Sequence, residues 1–162
     1  MVAVRYAALI ALVVWLGGMI VLGLIVAPST FRVLQAHEGA AGRVLAGALF
    51  GDVLRQFSIL AYVCGAIILI SLIVLKLLGP PPRAFPLRAA IVALMLALAI
   101  YAGVPVSREI AAIQSRVDGP IHQLPDADPR RARFDQLHAR STMLMTVNMA
   151  FGLLLLYWYA RE

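Results

Sequence analysis

Residues 6–31, YAALIALVVWLGGMIVLGLIVAPSTF, run for 26 positions without an Asp, Glu, Lys, Arg or His. One α-helix needs about 20 mostly apolar residues to cross the hydrocarbon of a bilayer. A buried helix of a water-soluble protein seldom needs so long a charge-free run. The run exceeds a signal-peptide h-region and no small-residue cleavage pattern precedes Pro28, so it reads as a retained span. Three further charge-free runs follow: residues 56–75 (20 positions), 89–107 (19) and 141–160 (20).

These runs predict an all-α, polytopic membrane protein. Four transmembrane helices, at about 4–27, 56–78, 87–108 and 140–160, are expected to form one up-down bundle, a single domain over residues 1–162. Only helices and closed barrels satisfy every backbone group in lipid. A barrel strand would alternate apolar with polar, whereas these runs are apolar at consecutive positions. With 62% hydrophobic residues and a mean hydropathy of +0.90, no length remains for a separate soluble domain.

The linkers follow from breakers and caps. Ala27-Pro28-Ser29-Thr30 is expected to end the first helix, because proline disfavours helical geometry at the residue before it. Residues 32–39 then read as a linker, and from Ala40 the chain is helix-friendly to Leu78. Gly79-Pro80-Pro81-Pro82 closes that helix. The third helix is expected to pass Arg108 and continue to about Val117, where Asp118-Gly119-Pro120 stops it. Asp128-Pro129 reads as an N-cap with proline at the first helical position. Both termini and the Pro-rich loop thus share a termini face, and the two long connections share a loop face where helices protrude.

The net charge of +6 would suggest nucleic acid for a soluble protein. Here Lys and Arg flank the spans, so the expected partner is membrane lipid and not nucleic acid. The loop face holds nine of the 14 basic residues but seven acids; the termini face holds five basic residues and Glu162. The count of basic residues and their density in short loops point to opposite orientations, leaving orientation open. The expected location is the plasma (inner) membrane. Tyr157, Trp158, Tyr159 and Tyr6 read as an aromatic belt on the termini face. The single cysteine, Cys64, lies within a span and reads as a packing residue.

Charge-free spans argue against proton relays and ion-coupled transport, which place ionisable side chains inside the membrane. Chemistry is expected instead at the loop-face helix entrances, where Arg32, Asp52, Arg55, Arg108, Glu109, Asp135, His138 and Arg140 gather. In the last helix His138, Ser141, Met145, Asn148 and Gly152 recur every three or four residues and form one polar stripe. The ordinary reading is interhelical glue at about 0.6–2 kcal/mol per contact. The functional reading is a pocket opening to the loop face, walled by this stripe with Trp15, Ser58, Tyr62 and Tyr101. His138 is also a candidate ligand for haem iron or copper, with Met145 or Met149 as a soft partner on the same face. Gly17, Gly18, Gly47 and Gly51 permit close helix contact within the chain or between copies.

Several short motifs occur in order: Trp15-Leu16-Gly17-Gly18, Ala27-Pro28-Ser29-Thr30-Phe31, Val104-Pro105-Val106-Ser107-Arg108-Glu109-Ile110 and Phe134-Asp135-Gln136-Leu137-His138-Ala139-Arg140-Ser141, with Asn148 beyond. The set resembles the bacterial domain-of-unknown-function family related to animal transmembrane protein 205. That resemblance implies a four-span helical membrane protein with the motif residues near one face, and it carries over no catalytic role. The expected function is non-enzymatic: binding, or accessory transport, of a small or lipid-like ligand. Arg108 would hold an anionic headgroup, His138 would hydrogen-bond it, Asn148 would fix the inner end, and Ser141, Trp15 and Tyr101 would form the wall. The alternatives are a haem- or copper-binding redox protein, or a structural subunit of a homo-oligomer or membrane complex.

Overall fold

The computed structural model describes residues 1–79, 84–117 and 119–161, and all the long elements among them are helical. Three helices are long and apolar enough to cross a membrane: α1 (Val2–Leu78), α2 (Phe85–Gln114) and α3 (Pro129–Ala160). A short 3-10 turn, Ile121–Gln123, lies between the last two. The expected stops at Pro80-Pro81-Pro82 and Asp118, together with Arg83 and Glu162, lie outside the described residues.

The expectation of four separate long helices is corrected to three, because Pro28 does not end α1 and residues 32–38 are helical rather than a linker. A proline ring inside an α-helix collides with the carbonyl four residues back. Just before Pro28 the helix widens into a π-turn, Leu22–Val26, where the Ala27 N–H donates to the Leu22 carbonyl five residues away. The wider turn accommodates the ring and helix continues beyond it. Pro105 is handled in the same way inside a second π-turn, Ala102–Val106, where the Ser107 N–H and its Oγ both donate to the Ala102 carbonyl.

The one non-helical residue in the long run after Pro28 is Gly39, at φ 57° and ψ −125°. Glycine reaches that region readily and other residues do not. There the helix reverses. Trp15 lies against Gly65, the Phe57 ring covers Gly18, Phe31 meets Phe50 edge to face at 6.4 Å, and the Met1 side chain reaches Gly79. These pairs straddle Gly39, so segments 2–38 and 40–78 of α1 pack antiparallel with almost no loop. The reversal is tight enough that a Cβ on Gly42 would strike the Leu34 carbonyl oxygen.

The other helices lie antiparallel to their neighbours. Leu96 closes on Gly65, and the Tyr62 hydroxyl donates to the Ala99 carbonyl at 3.4 Å, which lays α2 on the second segment of α1. Asn148 meets Met95 and Arg133 meets Glu109, which lays α3 along α2. Met145 covers Gly23 and Leu16 covers Gly152, which returns α3 to the first segment of α1. Leu12, Trp15, Ile68, Leu72, Val92, Met95 and Leu155 fill the middle and are 0–1% exposed. Asp128 caps α3 as expected, its side chain accepting from the Arg130 N–H at 2.8 Å ahead of Pro129.

The reversal supplies a test. Gly39→Ala should lower thermal stability in detergent by about 1–3 kcal/mol, the usual cost of a strained backbone conformation. Gly42→Ala should also destabilise through the Leu34 carbonyl. Gly51→Ala, where a Cβ would meet open space, should leave the melting temperature unchanged or raise it slightly.

Candidate functional site

Polar side chains gather in a tier at the loop-face end of the helices. On α1, Asp52 accepts from Arg55 and from Gln56 at 2.8 Å. On α2, Glu109 accepts from Arg133 of α3 at 2.7 Å, and Arg133 also donates to Gln136 at 2.8 Å. Arg140 of α3 donates to the Tyr101 hydroxyl at 3.3 Å. Arg108 is exposed in this tier and makes no hydrogen bond or ion pair among the described residues. The hydrogen bond from Arg133 is the main reason the Glu109 carboxyl sits below its ordinary pKa. Just inside the tier the Ala102–Val106 π-turn presents Gly103 to the Tyr62 hydroxyl and Ser58 Oγ, a contact that leaves no room for a Cβ.

Beyond the tier the Ile121–Gln123 turn folds back onto α3. Phe134 lies between two imidazoles, with His138 stacked on it (centroids 6.2 Å apart, planes 9° apart) and His122 edge-on at 5.9 Å. Contact with this cluster takes water from the His122 ring, and Arg43 adds positive charge nearby. Both lower the His122 pKa, together with Arg131 and His138, while Asp135 opposes them.

Deeper in the core, Asn148 is 4% exposed and donates from Nδ2 to the Met95 carbonyl at 3.1 Å. Its Oδ1 is buried without a hydrogen-bond partner among the described residues.

A family model described as a domain of unknown function, DUF4149, matches residues 10–117. The chain belongs to this family. No curated protein and no solved structure matches it. The DUF4149 match spans most of α1 and all of α2, so it takes in Trp15, Tyr101 and Arg108 but stops short of His138, Ser141, Met145 and Asn148 on α3.

The expected site residues of this DUF4149 chain fall into separate groups. Tyr101 and Arg108 lie in or beside the loop-face tier, and His138 stands at the same end against Phe134. Trp15 is 1% exposed in the core, under Gly65. Asn148 shares the level of Met95, and Arg108 lies 13 residues further along α2, roughly 20 Å at 1.5 Å per residue. Arg108 and Asn148 therefore do not meet in one pocket. Ser141 is half-buried between the two levels. The Thr142 and Thr146 hydroxyls are used within α3, donating to the His138 and Thr142 carbonyls. His138 and Met145 lie two helical turns apart, about 10 Å, and Met145 turns inward over Gly23. No group of three His, Cys, Asp or Glu side chains suited to a metal comes together among the described residues.

One cluster lay outside the sequence reading. Arg88, which the sequence did not single out, sits in the first turn of α2 and is 3% exposed. Its guanidinium lies 5.7 Å from the Trp158 ring centre and 5.4 Å from that of Tyr159, and it donates to the Trp158 carbonyl at 3.4 Å. Lys76 lies 4.8 Å over Phe85, and Arg161 lies 5.1 Å over Tyr157. The aromatic belt thus binds cations of its own chain. The available signal was an arginine two residues after Pro86, just before a charge-free run, with a Tyr-Trp-Tyr cluster on the same face.

Three outcomes are expected. Arg88→Ala should lower the melting temperature clearly, and Arg88→Lys should recover only part of it, since an ammonium lacks the planar stack and fork of a guanidinium. Asn148→Ala should cost about 1–2 kcal/mol through the lost hydrogen bond and unfilled volume, while Asn148→Leu, which removes the buried unpaired oxygen, should cost less. The lowered His122 pKa means that the fold favours the neutral ring. Its contribution is full above the ordinary histidine pKa of about 6.5 and is lost as pH falls through the lower folded value. The protection factors for amide exchange at residues 121–124, taken relative to the intrinsic rate at each pH, should therefore fall on acidification from pH 7 to 5, and His122→Gln should flatten that dependence.

Proposed function

We propose that this chain is an integral membrane protein. Its first helix crosses the bilayer twice by reversing at Gly39, which gives four crossings in one antiparallel bundle. The supporting observation is the spacing of its charges. Lys76 and Arg55 are 21 residues apart on α1, Arg88 and Arg108 are 20 apart on α2, and Arg140 and Arg161 are 21 apart across α3 and its cap. Each interval is roughly 30 Å of helix, the thickness of the hydrocarbon core. Between the two tiers the outer surface is apolar, with Ile10, Val13, Leu24, Ile59, Val63, Ile70, Leu94 and Leu153 exposed. A surface of that kind calls for lipid rather than water. The plasma (inner) membrane is its proposed location.

The proposed role within that membrane is non-enzymatic binding of an anionic, lipid-like ligand at the loop-face tier. Arg108 is the leading contact, being exposed there and unengaged among the described residues, with Tyr101, Arg140 and His138 at the same end. The resemblance to sequences related to transmembrane protein 205 agrees with a four-span protein that presents these motif residues near one face.

Two measurements test the reading. The chain should stay with the membrane through alkaline carbonate washing; release into the supernatant would overturn the membrane assignment. In native mass spectrometry from mild detergent, Arg108→Ala should reduce retained anionic lipid about fivefold, matching about 1 kcal/mol for one basic residue at an anionic surface. His138→Ala should reduce it less, and helicity should be unchanged in both. Equal retention by wild type and Arg108→Ala would overturn the ligand assignment.

A further inference from the structure

The second segment of α1 carries an unpartnered apolar face that does not stop at the loop-face tier. Ala41, Leu45, Ala48, Asp52, Arg55 and Ile59 recur every three or four residues, so they share one side of the helix, and all are exposed. Leu45 is 48% exposed, Val44 beside it 46%, and Gly51 faces open space. The same side continues toward the termini face through Ala66, Ile70, Ile73 and Leu77, also exposed. On the membrane reading proposed above, on which this inference rests, lipid covers the stretch from Ile59 to Leu77. It does not reach Ala41, which lies 11 residues past Asp52, roughly 16 Å further from the bilayer. An apolar stripe outside the hydrocarbon needs a protein cover.

We propose that the cover is a second copy of this chain in the same membrane orientation, paired along residues 41–77 of α1. Two copies inserted alike are related by a two-fold axis along the membrane normal, so the two helices run parallel and each residue lies near its own counterpart. Ala48 then faces Ala48, and small residues allow helix axes to approach closely. Asp52 and Arg55, which pair within each copy, are both open, with side chains 47% and 74% exposed. In the pair they come together as two acids and two bases in alternation. Such a face is complementary to itself in charge as well as in shape. The stripe spans 36 residues, roughly 54 Å of helix, and at about one helix width it offers on the order of 500 Å² per copy. The total of about 1,000 Å² reaches the lower bound for a specific interface. Of the glycines, Gly18 is covered by Phe57 and Gly47 by Gln114, whereas Gly51, beside the stripe, is open.

The test is site-directed crosslinking of the full chain in native membranes, in a Cys64→Ser background because Cys64 is the one native cysteine. Ala48→Cys and Leu45→Cys should each give a disulfide-linked species of twice the chain mass under mild oxidation, and Ala36→Cys, exposed on the other segment, should not. Energy transfer between labelled copies in nanodiscs should show Asp52→Arg or Arg55→Asp weakening self-association about tenfold, and the double exchange restoring most of it. Crosslinks of equal yield at Ala36, a product whose mass identifies a different protein, or a double exchange no better than the singles would each overturn the proposal. Carbonate washing of the same membranes separates the two readings: chain that stays in the membrane without crosslinking overturns the dimer alone, whereas chain that is washed out overturns the membrane reading beneath it.

Discussion

The backbone of Gly39 is the constraint on which the arrangement depends. A helix of 77 residues would extend for roughly 115 Å if straight, far beyond any small domain. One residue at positive φ converts that rod into two antiparallel segments whose side chains then meet in order. Trp15 over Gly65 and Phe57 over Gly18 follow from the register that the reversal sets. That register fixes the slot for α2, and α3 closes the remaining side. In the bilayer proposed for this chain there would be little hydrophobic drive to hold helices together, so close packing and a few interhelical hydrogen bonds would carry the association. This is why glycines lie under large side chains at several crossings.

The helical class, the charge-free runs, the Asp128 cap and the start of α3 at Pro129 were all legible in the sequence, because each rests on local composition or on a cap with a direct physical cause. The reading of Pro28 as a helix end was not sound. Proline removes a donor and crowds the carbonyl four residues back, but a single widened turn relieves both effects. Nothing in the local composition distinguishes a proline that ends a helix from one that follows a π-turn. Residues 32–39 read as a linker because they are polar, yet residues 32–38 are helical, and an exposed helix segment is polar as a matter of course. The reversal was confined to one glycine with no flanking turn signal, and its neighbour Gly42 was needed only because Leu34 comes so near.

The candidate site was legible in composition more than in arrangement. Arg108, Tyr101 and Arg140 stand at the loop-face end, as the charge distribution required. The polar stripe of α3, however, divides by depth: His138 belongs to the outer cluster around Phe134, whereas Asn148 belongs to the core beside Met95. Helical periodicity places residues on one face but does not say that one ligand spans them, and the 20 Å between the levels of Arg108 and Asn148 separates the two. Arg88 went unrecognised for the complementary reason. Its partners, Trp158 and Tyr159, lie 70 residues away, and pairing at that distance is set by how the helices pack.

That same separation bears on how the molecule is assembled. Segments 2–38 and 40–78 meet through a reversal with no loop, so they can pair as soon as both have been synthesised. The guanidinium of Arg88 is made well before the rings that enclose it, which belong to the last residues of α3. While the ribosome is still producing α3, the start of α2 carries a cation without its aromatic cover, at the margin of an apolar layer. The rings at the end of α3 are thus made after the cation they enclose, and α3 cut before Trp158 would lack the fastening at that end.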